Sequence, residues 1–371
     1  MTSTPQRKQT RFPEFAAAGS EQEIGHAIGE HFRDTIRGLS EVVLERINRS
    51  AARRITQDEA DAVAAAAVPY AEAYLPDAVG ELRATSHAAG LPFEHLMLIN
   101  VRSMLSAPTP RAEGCTAVMV GARASASGIG FAGQNWDNDP AMDPFSAVII
   151  RRPTGKPAFM SWCQPGIIAY MGMSDVGLGV CMNALNGPSR RDGVGWYFVV
   201  RSIYEQTDLD GIIRKIGSTR RAMSGNAALI TPDGPADLEI TLDAVEVLKS
   251  GPDGSMTHTN HCVHQNLVEY NERFADAIYG QSFERKARAE ALLAKAATTS
   301  ATPGKISVED VMAILSDRQG YPTSINRYPN DDPSTGWQRS VISMIVEPDA
   351  GRMHISRGNP GDNPYELYEL H

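Results

Sequence analysis

The chain predicts an α+β fold in which stacked sheets are covered by helices. Three observations carry this. Residues 20–107 read mostly as helix. Short apolar strands with turn signals begin abruptly at Cys115. From there runs of strands are separated by pairs of helices. With 371 residues, 42 % of them hydrophobic, the chain can fill one large layered domain or two smaller ones.

Residues 1–19 read as a loose lead-in. Ile24, Ile28, Phe32, Ile36 and Leu39 then recur at helical spacing, with Glu30, Arg33 and Asp34 between them, which marks an amphipathic helix. Residues 58–88 are Ala-rich and helical in propensity, with Pro69 and Pro76 as breaks or kinks. Leu91-Pro92-Phe93-Glu94 turns into a helix whose apolar side is Leu96, Met97, Ile99 and Val101. Ala107 to Glu113, with Pro108 and Pro110, reads as an exposed linker ending at Gly114.

Beyond the linker, 116–120 and 129–132 are strands joined by a turn rich in Ser, Ala and Gly. Such a hairpin brings Cys115 and Asp137 to one end. Strands follow at 147–151, 158–162, 167–171 and 179–182, then helices at 196–206 and 208–217. Residues 227–230, 236–242 and 245–248 return to strand. Helices at 282–296 and 307–316 precede a last hairpin, 340–347 with 352–356, around Pro348-Asp349-Ala350-Gly351.

A net charge of −9 argues against nucleic-acid and anionic-membrane partners. Met1 to Thr10 is polar and basic and does not read as a secretory signal. No run approaches the roughly 18 apolar residues of a membrane helix. Cys115, Cys163, Cys181 and Cys262 lie far apart and suggest no disulfide framework, so the expected location is the reducing cytoplasm.

Glu113-Gly114-Cys115-Thr116, followed by Gly133-Gln134-Asn135-Trp136-Asp137, reads as a self-cleavage site with its nucleophile and a supporting carboxylate. Gly114 has no side chain to block thiol attack on the carbonyl before Cys115. An N-to-S acyl shift followed by hydrolysis leaves Cys115 with a thiol and a free α-amine. That amine, with a reference pKa of about 8, can take the thiol proton and return it to a leaving group. Taken alone, Gly-Cys-Thr reads first as a buried small hydrophobe at Cys115, and the surrounding motifs reverse that.

His258-Thr259-Asn260-His261-Cys262-Val263-His264 is the densest polar cluster. An amide donor fixed at a strand end, Asn260, can hold an oxyanion. The alternative is a metal-dependent hydrolase built on His258–His264, although the ligand spacing fits no common pattern. Asp137 orients the amine or an Arg, or simply caps a turn. Asn183 and Asn186 line a pocket or form a turn. Arg327 and Arg339 bind a substrate carboxylate or are solvated surface charges.

Together these pieces resemble the acyl-coenzyme A:6-aminopenicillanic acid acyltransferase family, the isopenicillin N acyltransferases and their bacterial relatives. The matching stretches are Glu113–Thr116, Gly133–Asp137, Asn183-Ala-Leu185, Gly225-Asn-Ala, Leu238-Glu239, His258–Cys262, the Arg285 helix, Tyr321-Pro322 and Gly358-Asn-Pro360. The resemblance implies a four-layer αββα N-terminal-nucleophile hydrolase fold with autocleavage between Gly114 and Cys115. Residues 1–114 would be the helical small subunit and 115–371 the catalytic subunit. Cys115 would be the nucleophile, Asp137 the supporting carboxylate and Asn260 the oxyanion donor. Thr116, Asn135, Asn183, Arg327 and Arg339 are the substrate-binding candidates. Three places depart from the family pattern: the hairpin turn between Cys115 and Asp137 is a few residues longer, Ala117 replaces a second Thr, and Arg339 stands one place off the expected register.

The expected activity is amide hydrolysis or acyl transfer through an S-acyl intermediate, on a small-molecule amide or amino-acid conjugate. The cleaved fragments are expected to stay associated. No cofactor or metal is expected, and acyl-CoA enters only as a possible co-substrate of a strict N-acyltransferase. A non-catalytic binding protein that has kept the fold is a further alternative.

Overall fold

The computed structural model describes residues 10–49, 51, 53–106, 114–251, 254–276, 279–300, 302–333 and 335–371. The linker expected at 107–113, Glu113 included, lies outside the described residues. Strand β1 (Glu14–Gly19) opens the chain. Helices α1 (Glu21–His31), α2 (Arg33–Asn48), α3 (Gln57–Tyr74), α4 (Pro76–Ala89) and α5 (Phe93–Val101) follow. Then come β2 (Gly114–Val120), β3 (Phe131–Asn138), β4 (Ala147–Pro153), β5 (Phe159–Cys163), β6 (Met171–Ser174) and β7 (Gly179–Asn183). Helices α6 (Trp196–Tyr204) and α7 (Leu209–Gly217) lead to β8 (Gly225–Thr231), β9 (Gly234–Ile240), β10 (Val245–Lys249) and β11 (Ser255–His258). The chain ends with α8 (Glu269–Arg273), α9 (Tyr279–Thr299), α10 (Val308–Leu315), β12 (Arg339–Glu347), β13 (Arg352–Arg357) and β14 (Tyr365–Glu369).

One sheet has the order β1-β4-β5-β6-β7-β8-β9-β10 and the other β11-β2-β3-β12-β13-β14. They stack with β2 and β3 against β7 and β8. Helices α1 and α7 contact β4 and β10 of the first sheet, while α9 and α10 contact β2 and β3 of the second. This is the expected αββα order. The period-two alternation of a strand explains how β2 serves two layers. Cys115, Ala117 and Met119 belong to the core between the sheets, whereas Val118 and Val120 pack with Ala289, Leu293 and Val311 beneath α9 and α10.

Three sequence expectations are corrected. Residues 14–19 are not loose lead-in but β1, paired in parallel with β4 from Glu14↔Val148 to Gly19↔Pro153. Three consecutive alanines carry no strand signal, and the pairing partner is distant in sequence. The single helix expected through Ile24–Leu39 is two, α1 and α2, with Phe32 between them; Pro76 is the expected break, opening α4 where its missing N–H costs nothing, and Pro69 lies inside α3. The strand expected at 167–171 starts only at Met171. Side chains satisfy the backbone there instead of a ladder. Asn100 Oδ1 accepts the Ile168 N–H at 3.1 Å, Arg151 donates to the Ile167 carbonyl at 3.1 Å and Arg201 to that of Ile168 at 3.3 Å.

The N-terminal segment is tied into the rest of the chain. Glu81 on α4 is buried and meets Arg151 at 2.7 Å and Arg201 at 2.6 Å. Burial opposes its charge, but the guanidiniums of Arg201 and Arg151 outweigh this and hold its carboxyl below the ordinary range. Separating such a buried trio would leave uncompensated charges at a cost of about 3–5 kcal/mol. Among the described residues no helix is long and apolar enough to cross a membrane. All four cysteines are buried and unbridged.

Candidate active site

The hairpin of β2 and β3 sets the site. Its register pairs Gly114 with Asp137, Cys115 with Trp136 and Thr116 with Asn135. A Cβ at Gly114 would stand 2.8 Å from Asp137 Oδ2 and 3.0 Å from Asp137 Cβ, so any side chain before Cys115 would have to displace the Asp137 carboxylate. Cys115 is buried and points into the intersheet core. Trp136 shares that side and lies 5.2 Å from Trp162 and 6.1 Å from Tyr170, ring to ring.

Polar groups close on the Gly114–Cys115 junction from three elements. The Cys115 N–H donates to Asn260 Oδ1 at 2.9 Å. Arg285, on α9, donates to the Cys115 carbonyl, to Thr116 Oγ1 at 2.9 Å and to Asn260 Oδ1 at 2.7 Å. Two donors converge on one atom of the Asn260 amide, so that atom must be its oxygen. The Asn260 amide nitrogen donates to the Ala184 carbonyl at 3.0 Å, which uses one of its two N–H groups. Asp137 Oδ1 accepts the Ser340 hydroxyl at 2.7 Å, and Asp137 Oδ2 has no hydrogen-bond partner among the described residues. Arg327 is held at Ser340 through its own backbone N–H and reaches Gln281 at 2.7 Å, with no partner among the described residues for Nε and Nη2.

Burial pushes the Asp137 carboxyl up from 3.8 to about 6. The positive charges of Arg285 and Arg327 and the Ser340 hydroxyl oppose that rise without cancelling it. Burial likewise lowers both arginines, against the pull of Asp137. A carboxyl raised on folding favours the folded state when protonated. That contribution is full below about pH 4 and is lost as the pH rises through about 6. In an uncut Cys115→Ala chain, Asp137→Asn is therefore expected to change little at pH 4 and to stabilise by up to about 3 kcal/mol at pH 7. Urea denaturation at both pH values measures this; equal stabilities at pH 7 would mean that the charge is fully compensated.

The structure gathers Cys115, Asp137, Asn260 and Arg327 in one place. Thr116 carries Arg285. Asn135 is buried and spends its amide on the carbonyls of Leu315 at 2.7 Å and Ile325 at 2.9 Å, so it braces the segment after α10. Asn183 donates to Asn226 at 2.7 Å, deep between the sheets. Arg327 is fully buried, not a solvated surface charge. Arg339 is half-buried at the start of β12, opposite Asn138. Asn186 meets the Asn260 carbonyl through its N–H at 3.4 Å.

The side chains of the 258–264 cluster diverge. His258 meets Glu239 at 2.8 Å, His261 stacks on Phe283, Cys262 Sγ faces the Asn186 carbonyl and His264 faces Glu246. Among the described residues no three His, Cys, Asp or Glu side chains are grouped to hold a metal ion.

Sequence reasoning assigned no role to Arg285 or Ser340. A signal for Arg285 exists: Ser282, Arg285, Ala289 and Leu293 are the buried residues of α9, so Arg285 stands in the helix's inward stripe.

The family model described as acyl-coenzyme A:6-aminopenicillanic acid acyl-transferase matches residues 124–362. That span contains Asp137, Asn260, Arg285 and Arg327 and begins after Cys115. No curated protein matches the chain in sequence. Similar solved structures include penicillin V acylase from Agrobacterium tumefaciens, at 11 % identity and TM-score 0.45 over 69 % of this chain and 86 % of that one. Conjugated bile acid hydrolase from Clostridium perfringens is similar in two variant forms. One has 9 % identity and TM-score 0.43, the other 10 % and 0.45, each over 69 % of this chain and 97 % of that one. Since the family match spans more than half of the sequence, the chain belongs to the acyl-coenzyme A:6-aminopenicillanic acid acyl-transferase family.

Proposed function

We propose that the protein cuts itself between Gly114 and Cys115 and then works as an amide hydrolase or acyltransferase through an S-acyl intermediate on Cys115. The observation that carries this is the contact of Asn260 Oδ1 with the Cys115 nitrogen, beside Asp137 and two buried arginines. That nitrogen is the leaving atom of self-cleavage and, afterwards, the α-amine of the mature enzyme.

In the first step Cys115 Sγ attacks the Gly114 carbonyl carbon. The C–N bond breaks, the acyl group passes to sulfur and the thiol proton ends on nitrogen. No α-amine exists yet, so Asp137, raised toward neutral pH and set against Gly114, serves as the base. Water then adds to the thioester, the C–S bond breaks, and the Gly114 carboxylate and the Cys115 thiol are released.

In turnover the α-amine takes the thiol proton while sulfur attacks a substrate amide. The amine product leaves with that proton, and water or an acceptor amine deacylates the sulfur. The second N–H of the Asn260 amide serves the oxyanion. The unused Arg327 nitrogens suit a substrate carboxylate. Trp136, Trp162 and Tyr170 beside Cys115 favour an apolar or aromatic acyl group. Residues 1–114 and 115–371 become the two subunits, held by the β1–β4 pairing and the Glu81 trio.

Denaturing mass spectrometry of fresh protein tests the maturation step. It should show two species, residues 1–114 and 115–371. An intact chain that nonetheless turns over an amide would overturn it.

A further inference from the structure

Asn260 lies on a short loop leaving an edge strand, yet its amide must sit accurately on the Cys115 nitrogen. What holds that loop comes from the opposite sheet. Glu239 on β9 is buried, and its two carboxylate oxygens receive three donors. Oε1 takes His258 Nε2 at 2.8 Å and the Val263 N–H at 2.5 Å; Oε2 takes the His264 N–H at 3.0 Å. One side chain therefore clasps both ends of the 258–264 segment. His258 Nδ1 meets the Thr259 carbonyl at 2.8 Å. Both imidazole nitrogens thus face acceptor oxygens, an arrangement that favours the doubly protonated ring. Asp237, on the same strand as Glu239, stands 3.8 Å from the ring and adds to its pull. Burial opposes the His258 charge, but these two carboxylates prevail and its pKa is raised.

The middle of the loop is fixed from the other side. Ser282 Oγ, buried on α9, accepts the Asn260 N–H at 2.8 Å and meets His261 Nδ1 at 2.8 Å. The Thr259 hydroxyl donates to the Ser282 carbonyl at 3.0 Å.

We infer that Glu239 and Ser282 are positioning residues that act on the chemistry through Asn260 alone. This rests on the role given above to Asn260. Glutamine at 239 keeps the shape but presents one oxygen and one NH₂. It cannot receive three donors, and its NH₂ would face one of them. Glu239→Gln therefore frees one end of the loop and loosens Asn260.

The test is a double-mutant cycle on the cleaved protein, with N-phenylacetyl-4-nitroaniline as the probe substrate. Glu239→Gln alone should lower kcat by at least ten-fold and leave KM within about two-fold. On an Asn260→Ala background the same change should cost less than about two-fold further, because the group it positions is gone. Ser282→Ala should behave alike and carries the test if Glu239→Gln fails to fold. A full multiplicative loss on the Asn260→Ala background, or a rise in KM alone, overturns the inference. Near-normal turnover of Asn260→Ala by itself would instead overturn the role of Asn260, so the two failures are distinguishable.

Discussion

Cys115→Ala should give only the uncut chain and no measurable amide turnover, with the fold retained. The substitution removes one sulfur from a buried strand position, so its cost is that of a small cavity and not of a broken network. In the proposed mechanism its chemical cost is total, because there both maturation and turnover pass through the thiolate. In the wild type the rate should rise with pH as the Cys115 amine loses its proton, from a reference near about 8. The apparent value belongs to the amine and thiol together. Substituting His258, His261 or His264 one at a time should leave that rise in place even where turnover falls. A histidine variant, folded and cleaved, that loses both the rise and the activity would make that histidine the base. Residual turnover in a clean Cys115→Ala preparation would remove the thiol from the mechanism.

Asn260→Ala should lower kcat by about 10²–10³-fold in the cleaved protein, with the fold intact. Two losses combine. The Cys115 amine loses the oxygen that orients it, and the oxyanion loses an amide donor. Arg285 also loses its 2.7 Å contact and keeps only Thr116 and the Cys115 carbonyl. Initial rates with N-phenylacetyl-4-nitroaniline measure the effect. Near-normal kcat would return the 258–264 stretch to a structural role.

The hairpin was legible in the sequence because its signals are local. Two short apolar runs and a Gly-rich turn fix the register that sets Asp137 against Gly114. Helix was legible from apolar spacing at 24–39 and from Ala-rich propensity at 58–88, with ends displaced by a few residues and the break at Phe32 between α1 and α2 missed. What escaped depends on distant partners. Asn135 looks like a site residue beside Asp137, yet its amide is claimed by carbonyls at 315 and 325. Thr116 follows Cys115, but its hydroxyl serves an arginine of α9. Arg285 sits between Glu284 and Lys286 in a charged helix, and only its place in the inward stripe separates it from them. Strand β1 was lost because alanines carry no strand preference of their own and β4 supplies the pairing. The aliphatic run at 167–168 suggested strand, whereas Asn100, Arg151 and Arg201 satisfy its backbone from other elements.

The central claim is an acyl group carried on the sulfur of a Cys115 freed by cleavage. Acid-quenching the wild type during turnover of N-phenylacetyl-4-nitroaniline, followed by peptide-mapped mass spectrometry, tests it most directly. The expected result is a C-terminal fragment that begins at Cys115 and bears one phenylacetyl group there, removable by hydroxylamine as a thioester. Acyl on any other side chain, or an active protein in which the Gly114–Cys115 bond is whole, would contradict the account.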